Sequence, residues 1–194
     1  MRVILQVLLA IVLSQFADSQ QLWRLVPIVT KLEMEVNNKY CNVSCSIDRT
    51  LPIENQTVVF EIDVVRLIRE VKVSLSYFIV TKGSAGKNPL VTRNIDACAF
   101  LRRPKVDRFA TIVYNMMTQN SSLPTRCPIK PGHYYLRNIR PAAVKLPGFL
   151  PETEFLLQIM YLTGTMLEPA ANSLIYGKLV RRFDWLDVKQ NAST

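Results

Sequence analysis

The sequence predicts a mostly-β chain, an antiparallel β-sandwich with one helical insertion at about residues 105–118. Three observations carry this expectation. Two segments, Val58–Arg66 and Val71–Ile79, alternate with a period of two in β-branched and aromatic residues. One segment, Lys105–Thr118, switches to spacings of three and four. Short apolar runs separated by turn residues recur through the rest of the chain, as a sandwich requires.

In the first alternating segment Phe60, Ile62 and Val64 oppose Glu61 and Asp63. In the second, Val71, Val73, Leu75, Tyr77 and Ile79 share one face. The intervening Leu67–Glu70 is short, so the two strands are expected to pair as a hairpin. Thr81–Pro89, with Gly83 and Gly86, reads as a loop. The helix presents Val106, Phe109, Ala110, Ile112, Val113, Met116 and Met117 on its apolar side. Pro104 stands just before it, where a helix start tolerates proline, and Asn120–Pro124 ends it. His133–Ile139, Phe155–Tyr161 and Leu174–Phe183 read as further strands, and Lys145–Thr153 as a proline- and glycine-punctuated loop. No repeat or low-complexity tract interrupts the pattern.

The N-terminus carries a different signature. Arg2 precedes a run from Val3 to Leu13 that only Gln6 breaks, and Ser14–Gln20 turns small and polar. That order is expected of a secretory signal peptide. The apolar run of 11 residues is too short to cross a bilayer core of roughly 30 Å as a helix. Ala17-Asp18-Ser19 offers a cleavage site after Ser19, with Ala17 the second choice. Residues 1–19 are thus expected to be a signal peptide and residues 20–194 a single domain, large enough to bury a real core.

An oxidising compartment changes the meaning of the four cysteines, Cys41, Cys45, Cys98 and Cys127. An even count reads as two disulfides, and three pairings are open. The favoured one joins Cys98 to Cys127, across the helix, and Cys41 to Cys45. Zinc is disfavoured, because Cys-x3-Cys has no matching second pair and His133, the single histidine, stands in no ligand spacing. Four sequons, at Asn42, Asn55, Asn120 and Asn191, mark candidate glycosylation sites on the surface. The net charge of +9 reads first as a well-solvated surface and only second as a site for anionic membranes, acidic glycans or acidic head groups. Nucleic acid is not expected as a partner of a secreted chain without a nucleic-acid motif.

Several linked motifs resemble a known family. They are Asn94-Ile95-Asp96-Ala97-Cys98-Ala99-Phe100-Leu101, Tyr114-Asn115 in the helix, Asn120-Ser121-Ser122, Cys127-Pro128-Ile129-Lys130, and Leu146-Pro147-Gly148-Phe149-Leu150-Pro151-Glu152. Together they resemble a large insect family of small secreted proteins described as a domain of unknown function. That family is similar to the ML lipid-recognition proteins and the ganglioside-activator-like chemosensory proteins of flies. The resemblance covers roughly residues 36–183 and implies an immunoglobulin-like sandwich able to hold a lipid between its sheets. It implies no catalytic residues and no cofactor. This chain departs from the family in the close spacing of Cys41 and Cys45. It departs again in Pro151-Glu152-Thr153-Glu154, which replaces a Pro-x-Gly turn.

Three function classes can be weighed. A carrier would line a cavity with Phe60, Ile62, Val64, Val73, Leu75, Tyr77, Ile79, Phe155, Leu157, Ile159 and Tyr161, bind a lipid or other apolar small molecule, and present it to a membrane receptor. A ligand-free interaction module would close the same residues into an ordinary core and bind a partner through its surface. An enzyme is disfavoured. His133 has no placed nucleophile and no G-x-S-x-G nearby, and Glu152 with Glu154 reads as a solvated edge rather than a catalytic pair.

Overall fold

The computed structural model describes residues 23–50, 52–81, 84–86, 88–146 and 150–183. The expected signal peptide and the Asn191 sequon lie outside them. Nine strands form two antiparallel sheets among these residues, in the arrangement of an immunoglobulin-like sandwich. They are β1 Trp23–Val36, β2 Cys41–Asp48, β3 Thr57–Val64, β4 Val71–Thr81, β5 Ser84–Ala85, β6 Val91–Asp96, β7 Gly132–Ile139, β8 Glu154–Thr163 and β9 Glu168–Phe183. The larger sheet runs β1-β9-β8-β4, and β5 and β6 both pair with the far side of β4. The smaller sheet runs β2-β3-β7.

β3 and β4 do not form the expected hairpin. β3 pairs with β2 and β7, whereas β4 pairs with β8 and β6. The link Val65–Glu70 contains no glycine or asparagine to make a tight turn. It crosses between the sheets instead, pinned by buried Ile68, whose backbone exchanges two hydrogen bonds with Ile129.

β1 was not legible from alternation. Its first half is covered on both faces, with Leu25, Val26, Ile28 and Val29 all buried. A bulge between Val29 and Lys31 then resets the register, and Lys31, Glu33 and Glu35 alternate with Leu32, Met34 and Val36. β1 pairs with β9 from Trp23 onward, so strand structure of the larger sheet precedes residue 36, where the family resemblance starts.

The helical insertion is two helices. α1, Ala97–Arg102, is capped by Asp96, whose carboxylate accepts from the Ala99 N–H. A 3-10 turn at Pro104–Val106 follows, and α2, Arg108–Thr118, is capped by Asp107 accepting from Ala110 N–H. The Asp-x-Cys motif therefore has a local role, in which the aspartate starts the helix that carries the disulfide cysteine.

One side of the sandwich is closed where β1 lies against β2. There the buried Gln56 side chain pairs with both backbone groups of Val29, accepting from its N–H at 2.9 Å and donating to its carbonyl at 2.8 Å. On the other side α1 packs on β4 and α2 on β7. A disulfide joins Cys98 to Cys127 across this helical wall, with Cα atoms 5.6 Å apart.

The packed core sits at one end of the larger sheet. Leu25, Phe155 and Leu179 form a buried cluster, flanked by Tyr77, Leu146, Leu150 and Leu157. The Tyr77 and Phe155 rings stack 5.7 Å apart. Gly177, opposite both Val29 and Phe155, makes this closure possible. A Cβ there would stand 2.4 Å from Phe155 Cζ and 2.5 Å from the Ile28 carbonyl oxygen. The Gly177→Ala variant is expected to lose about 1 to 3 kcal/mol of stability by overpacking, read from urea unfolding. Unchanged stability would contradict this packing.

Candidate functional site

The strand register gathers most of the apolar residues that the sequence singled out. Val73 stands opposite Tyr161, Leu75 opposite Ile159, Tyr77 opposite Leu157 and Ile79 opposite Phe155. Directly opposed residues point the same way, so these eight share one face of the larger sheet. The middle of the other face carries Lys72, Ser74, Ser76, Gln158 and Asn172 and is the solvent side. On the smaller sheet, Phe60, Ile62 and Val64 share a face.

That smaller sheet contributes residues that sequence reasoning missed. Cys45 and Leu136 flank Phe60, Val43 and Tyr134 flank Ile62, and Cys41 flanks Val64. Next to Tyr161 on the larger sheet lie Ser173 and Met34, the Ser173 hydroxyl 2.9 Å from the methionine sulfur. Only the pairing register, which no single strand reveals, could have located them.

The middle of this inner face is not packed shut. Phe155 and Val64 are buried, but the other nine of the eleven residues keep partial accessibility. In a filled sandwich the central positions of central strands are the most enclosed. Tyr161 makes the point. It lies deep enough that burial pushes its hydroxyl pKa up, against the opposing effect of a hydrogen bond with Ser173. Yet its side chain still has accessible surface. Tyr161 is therefore deep in the sandwich without being fully enclosed. The Tyr77 hydroxyl is likewise raised by burial, offset by a bond with Thr153.

Cys41 and Cys45 are unpaired, contrary to the expected second disulfide. They stand at i and i+4 in a regular strand, roughly 13 Å apart along it. A disulfide needs Cα atoms within about 7 Å. Both thiols have their pKa raised by burial, which favours the neutral form. They therefore stand as small apolar side chains rather than as a staple, and the Cys41 thiol donates to the Ala170 carbonyl.

Three sequon asparagines, Asn42, Asn55 and Asn120, are exposed. His133 lies on the outer face of the smaller sheet, with Nδ1 2.7 Å from Asp63 and Nε2 2.9 Å from Glu61. Glu61 also binds Arg137. The Asp63 hydrogen bond leads in raising the histidine's pKa, with Glu61 adding to it and desolvation opposing. Both ring nitrogens face carboxylates, so the bonded form is the imidazolium. Its contribution to stability is full below the unfolded value near 6.5 and is lost as pH rises through the higher folded value. An NMR titration is expected to place the His133 midpoint above about 6.5; a midpoint at or below that would refute the clamp. Glu152 accepts from the Arg181 backbone N–H at 2.5 Å, so this carboxylate serves the strand edge. Among the described residues no three His, Cys, Asp or Glu side chains converge as a metal site.

The sequence model of a family described as a protein of unknown function (DUF1091) matches residues 71–157, from the start of β4 into β8. It spans the Asn94–Leu101 and Cys127–Lys130 motifs on which the resemblance above was drawn. A comparison with curated protein sequences finds no significant match. Among solved structures, chicken MD-1, complexed with lipid IVa, is similar at 13% identity, covering 80% of this chain and 97% of its own, with a TM-score of 0.36. A Niemann-Pick type C2 protein from the Japanese carpenter ant is similar at 9% identity, covering 79% of this chain and 92% of its own, with a TM-score of 0.32.

Proposed function

We propose that this chain is a secreted, non-enzymatic carrier that holds a lipid or other apolar molecule between its two sheets. The observation that carries the reading is the accessible middle of an apolar inner face. Val73, Leu75, Ile159 and Tyr161 face inward yet keep intermediate accessibility. Apolar side chains left unfilled in this way lose their packing partners, and a ligand would restore them. Burying roughly 300 Å2 of acyl chain at roughly 25 cal/mol per Å2 contributes about 7 kcal/mol before ordering costs. Tyr161 and Ser173 supply the few polar groups that would orient a headgroup or hydroxyl.

The mechanism is non-covalent. Glycans at Asn42, Asn55 and Asn120 would keep the outer surface soluble, and presentation to a receptor, in chemosensation for example, is the role that the family resemblance adds. The test is Leu75→Trp, which fills the space opposite Ile159. The wild type is expected to bind an apolar fluorescent probe, and the variant to bind it at least about tenfold more weakly while remaining folded by circular dichroism. A wild-type protein that binds no such probe, or a folded variant that binds it equally, would defeat the proposal.

A further inference from the structure

We propose that the end of the sandwich formed by the β3–β4 link and the β8–β9 turn docks on an anionic phospholipid bilayer. Among the described residues eight large apolar side chains are exposed, and four of them, Val65, Leu67, Met166 and Leu167, belong to these two connections. Met166 is 84% exposed. The two connections emerge side by side, since Val71 of β4 pairs with Thr163 of β8 and the Thr163 hydroxyl donates to the Glu70 carbonyl at 2.8 Å. Tyr40 ties them further, its carbonyl accepting from Val65 N–H and its hydroxyl bonding Glu168.

These loops are held, not loose. The Ile68–Ile129 backbone pair fixes the link, and the Cys98 sulfur lies 3.6 Å from the Arg69 carbonyl. Leu167 holds a left-handed φ of 54°, a conformation that disfavours a bulky residue. Leu167 is 40% exposed there, so a good part of its apolar surface meets solvent at a backbone position that is costly for it.

Charge selects the partner. Around the apolar tips stand exposed Arg66, Arg69, Lys72 and Lys130, with Lys39 paired to Glu168. Glu70, Asp63 and Asp96 are exposed acids at this end, with Asp63 bound to His133, Asp96 opposite Lys72 and capping α1, and Glu168 held by Lys39 and Tyr40. The whole chain carries +9. Apolar tips with a cationic rim match the acyl boundary and headgroups of an anionic leaflet. The surface lies outside the pocket, so it can fail without the carrier reading failing, and the same variants can be checked for probe binding.

The test uses the full secreted chain and vesicles of phosphatidylcholine, with and without phosphatidylglycerol, in a flotation assay. Binding is expected to the anionic vesicles alone and to weaken steeply with salt. The pair Leu67→Glu with Met166→Glu should reduce it by about tenfold or more. Ile53→Glu, exposed before the opposite end of β3, should leave it unchanged and controls for added negative charge. A wild-type chain that ignores anionic vesicles, as a purely protein-docking surface would, overturns the proposal. So does full binding by the double variant, or an equal loss in Ile53→Glu.

Discussion

Replacing Cys98 with serine is expected to lower the unfolding free energy by about 3 to 4 kcal/mol in the chain-entropy model. The bond closes a separation of 29 residues, a loop that contains both helices of the wall. In a chain of this size the melting temperature should fall by roughly 10 °C. The loss has a local component too. Cys98 is buried in α1, which packs on β4, and without the bond nothing covalent ties α1 to the return segment before β7. Calorimetry of the wild type and Cys98→Ser checks this, and a shift of under about 2 °C would mean that the helical wall stands without its staple.

The second large effect contrasts two leucines on the same sheet. Leu25, 2% exposed and clustered with Phe155 and Leu179, should cost about 3 to 5 kcal/mol when cut to alanine. Leu75, of intermediate accessibility on the inner face, should cost about 1 kcal/mol, because the proposed lipid site leaves space beside it and little new cavity is created. Urea unfolding of the two variants separates an open interior from a closed one. Equal and large losses would mean that the sandwich is filled throughout.

How much of this was legible in the sequence follows from what each signal reports. β3, β4 and β8 were readable because their inward residues are apolar and β-branched. The helix α2 was readable from its period, and the partition of the eight β4 and β8 residues onto one face follows directly from that alternation. β1 was missed because its first half is buried on both faces and so does not alternate. α1 was missed because six residues make too short a period; only the Asp96 cap marks it. The β3–β4 hairpin failed for a different reason. Proximity in sequence does not by itself pair two strands; partners are chosen by which faces must meet, and Ile68 anchors the link as a crossover. The Cys41–Cys45 bond failed on strand geometry that the spacing alone would have excluded once β2 was recognised as a strand. Which residues of the smaller sheet join the site depends on register between strands far apart in sequence, and that information is not local.

The central claim is an interior that is open and meant to be filled. Native mass spectrometry of the protein as secreted from insect cells tests it most directly. The expected spectrum shows one apolar small molecule per chain, removable by organic extraction and recovered when a fatty acid or sterol is added back. A spectrum of bare polypeptide that takes up no lipid on incubation would contradict the account, and the accessible faces of Leu75, Ile159 and Tyr161 would then need another explanation.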